Sequence, residues 1–127
     1  MFETVLFPID HSRESMETAS KALEIAKNHR SRLIVLSVVQ SESHQMDDSQ
    51  GAASLLASVR EKIEQEGVPC DVLERKGKPA FVICDVADEM NADLIVMGTR
   101  GLNLDTDNES TASRVIQLAP CPVLVVP

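Results

Sequence analysis

The sequence predicts an open, mostly parallel five-stranded α/β sheet with helices on both faces. Three observations carry that expectation. Strand-like and helix-like segments alternate strictly, as βαβαβαβαβ, along 127 residues. Most strand segments are continuous apolar runs, as strands covered on both faces require. The intervening segments repeat apolar residues at the 3.6-residue period of amphipathic helices. The length suits a single domain, residues 1–127, with neither linker nor internal repeat.

The first strand is Thr4-Val-Leu-Phe-Pro-Ile9, and Pro8 near its end limits ladder pairing there. Met16, Ala19, Leu23 and Ala26, widened by Ala22 and Ile25, predict a helix of about five turns. Ser12 is its expected N-cap, with Asp10 competing, and Asn28-His-Arg30 ends it with cationic side chains suited to the negative end of the helix dipole. The second strand is Arg32 to Val39. Gln40 to Gly51 is polar and reads as an exposed loop without chemistry. Ala52, Leu55, Leu56, Val59 and Ile63 form the next helical stripe, closed by Gly67 in the left-handed position. Val68 to Glu74 alternates imperfectly and reads as an edge strand. Lys76-Gly-Lys-Pro79 then turns the chain, Pro79 taking the first helical position, and Ile83, Val86, Ala87 and Met90 face the core until Asn91. The fourth strand, Leu94 to Met97, ends in Gly98. After a loop, Ala112, Val115, Ile116 and Ala119 mark a short helix, halted by Pro120-Cys-Pro122 before the last strand, Val123 to Val126.

Composition narrows the function classes. A net charge of −8 with no basic cluster argues against nucleic acid and anionic membranes as partners. The chain has no Trp or Tyr and three Phe, so it lacks stacking platforms for bases and builds an aliphatic core. No apolar run approaches membrane-span length, and Met-Phe-Glu-Thr lacks a basic start, so a cytoplasmic location is expected. Cys70, Cys84 and Cys121 have no CxxC spacing and read as buried reduced thiols rather than metal ligands.

In open parallel sheets ligands sit outside the strand carboxyl ends, where neighbouring connections diverge. Asp10 and Gly98 each follow such an end. The Asp10 carboxylate can accept hydrogen bonds from a ligand or cap the first helix. Gly98 and Gly101 can admit a ligand close to the backbone or simply make a tight turn. The helix start after Ser110 and Thr111 is an anion site in principle. The turn Pro8-Ile-Asp-His-Ser-Arg-Glu14 contains no glycine, which removes the dinucleotide fingerprint and the P-loop. Receiver chemistry lacks its acceptor aspartate and lysine, because those places hold Arg75-Lys-Gly77 and Pro127. A hydrolase triad lacks its nucleophile elbow, since GxSxG is absent, while His11, His29 and His44 are scattered. His11, beside Asp10, remains a candidate acid or base.

Leu6-Phe-Pro-Ile-Asp-His-Ser12, Val35-Leu-Ser-Val-Val39, Gly77-Lys-Pro79, Ala92-Asp-Leu-Ile-Val-Met-Gly-Thr-Arg-Gly101 and Ala119-Pro-Cys-Pro-Val-Leu-Val-Val126 occur in that order. Together they resemble the universal stress protein family over the whole chain. The resemblance implies a Rossmann-like, adenine nucleotide alpha hydrolase-like sheet of order 3-2-1-4-5. It also implies a homodimer through the last strand, Val123 to Val126, and ATP as ligand. By that resemblance Pro8, Ile9, Asp10 and the backbone of Val38 hold the adenine end. Met97, Gly98, Arg100 and Gly101 border the ribose and phosphates, with Ser110 and Thr111 at the helix start.

The phosphate loop departs from the family pattern of Gly, two residues, Gly, nine residues, then Gly-Ser or Gly-Thr. Glu109 stands where the glycine before Ser110 belongs, and the loop is two residues short. It carries Asp105, Asp107 and Glu109. At an effective dielectric of about 20, a carboxylate roughly 4 Å from a phosphate charge costs about 4 kcal/mol. Hydrogen bonds of about 1 kcal/mol each offset that poorly unless a cation intervenes. Three readings stay open: a capping box of Thr106 and Glu109 that fills the anion site itself, a divalent cation such as Mg²⁺ held by Asp105, Asp107 and Glu109, or a solvated acidic loop.

The functional expectation is a stress-response or signalling module that binds an adenine nucleotide without turning it over. The alternatives are a nucleotide-independent homodimer that recruits protein partners, and a very slow ATPase.

Overall fold

The computed structural model describes residues 2–9, 14–39, 45–98 and 111–127. Its elements are β1 (Thr4–Ile9), α1 (Glu14–His29), β2 (Arg32–Val39), α2 (Gln45–Gln65), β3 (Cys70–Lys76), α3 (Pro79–Glu89), β4 (Leu94–Gly98), α4 (Thr111–Leu118) and β5 (Val123–Val126). The strands form one parallel sheet in the order β3-β2-β1-β4-β5.

Each strand with two neighbours divides its residues between two aliphatic cores. Val5, Phe7 and Ile9 of β1 join Leu33, Val35, Leu94 and Val96 beneath α1 and α2. Leu6 joins Ile34, Leu36, Ile95 and Met97 beneath α3 and α4. The connection after β1 therefore crosses one face of the sheet, and the connections into and out of β4 cross the other. The change of face falls between β1 and β4.

The helix ends follow local chemistry. Gly67 and Asn91 take positive φ, +85° and +56°, after α2 and α3. Pro79 opens α3, and the preceding Lys78 is extended, as residues before proline are. Gly77 is required twice over: its φ is +138°, and a Cβ there would meet Val82 Cγ2 at 2.8 Å.

Four expectations need correction. Gln45 to Gly51, expected as loop, forms the first turns of α2. A polar stretch without an apolar stripe gives no periodicity from which a helix can be read, although a helix tolerates such residues. Strand β3 begins and ends two residues later than expected, although it is an edge strand as read. The buried ridge of α1 is Thr18, Ala22 and Ala26, with Ala19, Leu23 and Ile25 half-buried along its flanks. Ile116 was placed on the buried stripe of α4 but is 56% exposed. The helix leans on α3 at the margin of the sheet, through Ala112 and Val115, which leaves the far flank of its stripe to solvent.

Candidate functional site

The carboxyl ends of β1, β2 and β4 meet where the connections change face. Two hydrogen bonds fix how the peptide groups alternate there. Arg32 N–H donates to the Glu3 carbonyl at 2.8 Å, and Leu33 N–H donates to the Pro69 carbonyl at 2.9 Å. Even-numbered residues of β2 therefore turn their peptide groups toward β1, and odd-numbered ones toward β3. The last registered pair between β1 and β2 is Ile9 with Ser37. Val38 consequently directs its carbonyl into the lane of β1, past the last registered pair of that ladder.

On the other side of β1 the ladder stops early. Pairing with β4 runs from Val5 opposite Leu94 to Leu6 opposite Ile95, although β1 continues to Ile9 and β4 to Gly98. Asp93 N–H donates to the Thr4 carbonyl at 2.7 Å, so even-numbered residues of β1 face β4. The donor that would continue the ladder, opposite the carbonyl of Val96, is the N–H of residue 8. Pro8 has none. The β1/β4 seam is therefore left without ladder pairing at its carboxyl end, an opening in the ladder that, as limited pairing at Pro8 predicts, falls where the helices diverge.

Gly98 borders this opening, and its lack of a side chain has a packing cause. A Cβ on Gly98 would stand 2.9 Å from Thr18 Oγ1 and 3.7 Å from the Val126 carbonyl. Thr18 is 3% exposed and went unnoticed in the sequence because a polar residue breaks an apolar stripe. Its β-branched side chain is stiff within a helix, so α1 approaches the end of β4 closely only over a glycine. Asp93 was also missed as a structural group. Its Oδ2 accepts the N–H groups of Glu3 at 3.0 Å and Thr4 at 2.9 Å, tying the chain start to the beginning of β4.

Among the candidate site residues, Pro8, Ile9, Val38 and Gly98 gather at these strand ends. The Met97 side chain is buried in the core beneath α3 and α4, so any contribution from it is through backbone at the strand end. Thr111 is the first residue of α4 and is half-buried. Asp10, Arg100, Gly101 and Ser110 lie outside the described residues, as do His11, His44, Thr106 and the acidic candidates Asp105, Asp107 and Glu109. Asp10 follows Ile9 directly, and residues 99–110 join Gly98 to Thr111, so both stretches attach at the opening. His29 ends α1 with its ring edge-on to Phe2, centroids 5.1 Å apart, a structural contact.

The three thiols are free. Burial, reinforced by Glu64, pushes Cys70 up to about 11, and burial is also the first cause raising Cys84 and Cys121. Thiols held protonated in this way are poor nucleophiles and poor metal ligands. Cys70 and Cys84 are buried as expected, and Cys121 is half-buried.

The sequence profile described as the universal stress protein family matches residues 1–127. The chain belongs to that family. A universal stress protein of Synechocystis is 49% identical over 136 aligned positions, spanning 100% of this chain and 87% of the relative. The universal stress protein UspA from Lactobacillus plantarum superposes with a TM-score of 0.87 at 25% identity, covering 99% of this chain and 98% of that one. A universal stress protein from Archaeoglobus fulgidus, solved in complex with dAMP, has a TM-score of 0.79 at 25% identity, covering 100% and 98% of the two chains. The sheet order is the one the family resemblance implied. Among the described residues no helix is long and apolar enough to cross a membrane.

Proposed function

We propose that this universal stress protein domain binds an adenine nucleotide, ATP in the first instance, at the opening between β1 and β4. Binding there serves stress signalling by shifting a dimer or loop equilibrium, which requires different affinity for two conformations. The observation that carries the reading is the ladder that ends at Leu6, short of Pro8, where the helices change face. The dAMP complex of the Archaeoglobus fulgidus relative supports the ligand class. The Val38 carbonyl suits the exocyclic amine of adenine, an acceptor matched to a donor. Pro8, Ile9 and Asp10 complete the adenine end. Gly98, Arg100 and Gly101, with backbone from Met97, border the ribose and phosphates. Ser110 and Thr111 meet phosphate at the start of α4, and Asp105, Asp107 and Glu109 are the residues that would hold Mg²⁺.

Isothermal titration of ATP and dAMP into nucleotide-stripped protein, with and without Mg²⁺, tests this. Saturable micromolar binding is expected, and its Mg²⁺ dependence reports on the acidic residues. No heat under any condition would leave the second reading, a nucleotide-independent homodimer paired through β5. That reading draws on the edge position of β5 and on Leu124, which is 39% exposed there. Sedimentation equilibrium showing monomer alone at micromolar concentration would remove it. Binding without turnover is part of the proposal, and phosphate release above the level of a protein-free control would contradict it.

A further inference from the structure

The opposite edge of the sheet offers a second surface, independent of the nucleotide reading. A groove of about 750 Å³ runs between one flank of α2 and the free edge of β3. Leu56, Arg60, Glu61 and Glu64 form its wall, and Val72 and Glu74 its floor. Leu33 N–H donates to the Pro69 carbonyl at 2.9 Å, and Gly77 N–H donates to the Val39 carbonyl at 3.0 Å. Those bonds assign residues 71, 73 and 75 to the β2 ladder, so Cys70, Val72, Glu74 and Lys76 turn their N–H and C=O groups outward along the groove. Among the described residues strand β3 is paired on one side only. A seven-residue edge of this kind is a template for another strand.

Charge selects the occupant. Arg60 Nε donates to Glu64 Oε2 at 3.2 Å, so the groove's one guanidinium is matched by one of its three carboxylates. Glu61 and Glu74 form no ion pair among the described residues. A second copy of this edge would bring the same surplus of carboxylates in a chain of net charge −8. A lysine or arginine suits the mixed lining better, its aliphatic stem lying on Leu56 and Val72 while its charged head reaches Glu61 or Glu74.

We propose that the β3 edge and the α2 groove together dock an extended, basic segment of a partner protein, which adds to the sheet as a sixth strand. Main-chain hydrogen bonds to the outward groups of β3 supply affinity, and cationic side chains at alternate positions supply selectivity.

The test titrates the isotope-labelled protein with a capped seven-residue peptide of alternating lysine and valine. Saturable amide shifts are expected at Cys70, Val72, Glu74 and Lys76, with slowed hydrogen exchange there. Two N-methylated versions, one modified at every valine and one at every lysine, separate strand addition from charge attraction. The version that blocks the β3-facing donors should bind about tenfold more weakly. Reversing Glu61 and Glu74 to lysine should weaken the parent peptide by about tenfold as well. Equal binding of the parent and both N-methylated peptides, or equal binding of a glutamate–valine analogue, would overturn the proposal.

Discussion

Strand β1 makes two seams of opposite character. Toward β2 it is registered along its whole length, from Thr4 opposite Arg32 to Ile9 opposite Ser37. Toward β4 the register ends at Leu6 opposite Ile95, with both strands running on. The same strand buries Val5 to Ile9 on both faces in each case, so packing does not explain the difference. Backbone direction does. Pro8 turns its nitrogen toward β4, where a ladder needs the N–H that proline lacks, while its neighbours Phe7 and Ile9 serve β2 undisturbed. The ladder between two parallel strands can thus be ended by one missing donor.

The largest effect is expected at the closed end of the β1/β4 seam. Leu6 is fully buried at the last registered pair with β4. Leu6→Ala should cost about 3 kcal/mol in urea unfolding, through lost transfer energy and the cavity left behind. A loss below about 1 kcal/mol would mean that this part of the seam is not held by packing.

The open end is sharpened by the contact of Gly98 with Thr18. Gly98→Ala should destabilise by about 1–3 kcal/mol, because the new Cβ meets Thr18 Oγ1. Thr18→Ala in the same chain should recover part of that loss. A double-mutant cycle with coupling below about 0.5 kcal/mol would contradict the close approach.

Pro8→Ala tests the cause of the difference directly. The restored N–H should extend the β1/β4 ladder, and its amide should become protected from hydrogen exchange. The gain of about 1 kcal/mol from the bond is offset by greater freedom of the unfolded chain, so net stability should move by less than about 1 kcal/mol. Affinity for ATP should fall as the opening closes. A freely exchanging amide at position 8 would refute this account of the seam.

A pH-dependent effect lies at the far edge. Burial raises the Cys70 thiol from 9.0 to about 11. Its protonated form is the one the fold accommodates, so this contribution is complete below pH 9 and is lost as pH rises toward 11. Denaturation midpoints between pH 8.5 and 10.5 should fall more for the natural chain than for Cys70→Ala. Parallel slopes would remove Cys70 as the source.

The sequence made most of the architecture legible because every helix shows an apolar stripe and four of the five strands show an apolar run. Gly67, Pro79 and Asn91 punctuate those segments by rules that are local to the chain. What escaped was set by exposure or by distant partners. The first turns of α2, Gln45 to Gly51, carry one large apolar residue, Met46, and so no stripe. Ile116 repeats the stripe of α4 on a flank that no neighbour covers. At the site, the position of Gly98 was legible, but its reason was not, because Thr18 lies on another element. Pro8 was readable as a limit on pairing. Which neighbour it denies became clear only from the alternation of β1.

The most direct test of the central claim is an amide-resolved titration of the isotope-labelled protein with ATP. Saturable shifts are expected at Ile9, Val38, Gly98 and Thr111, with Cys70 to Lys76 unmoved. Saturable binding whose shifts avoid the ends of β1 and β4 would contradict it.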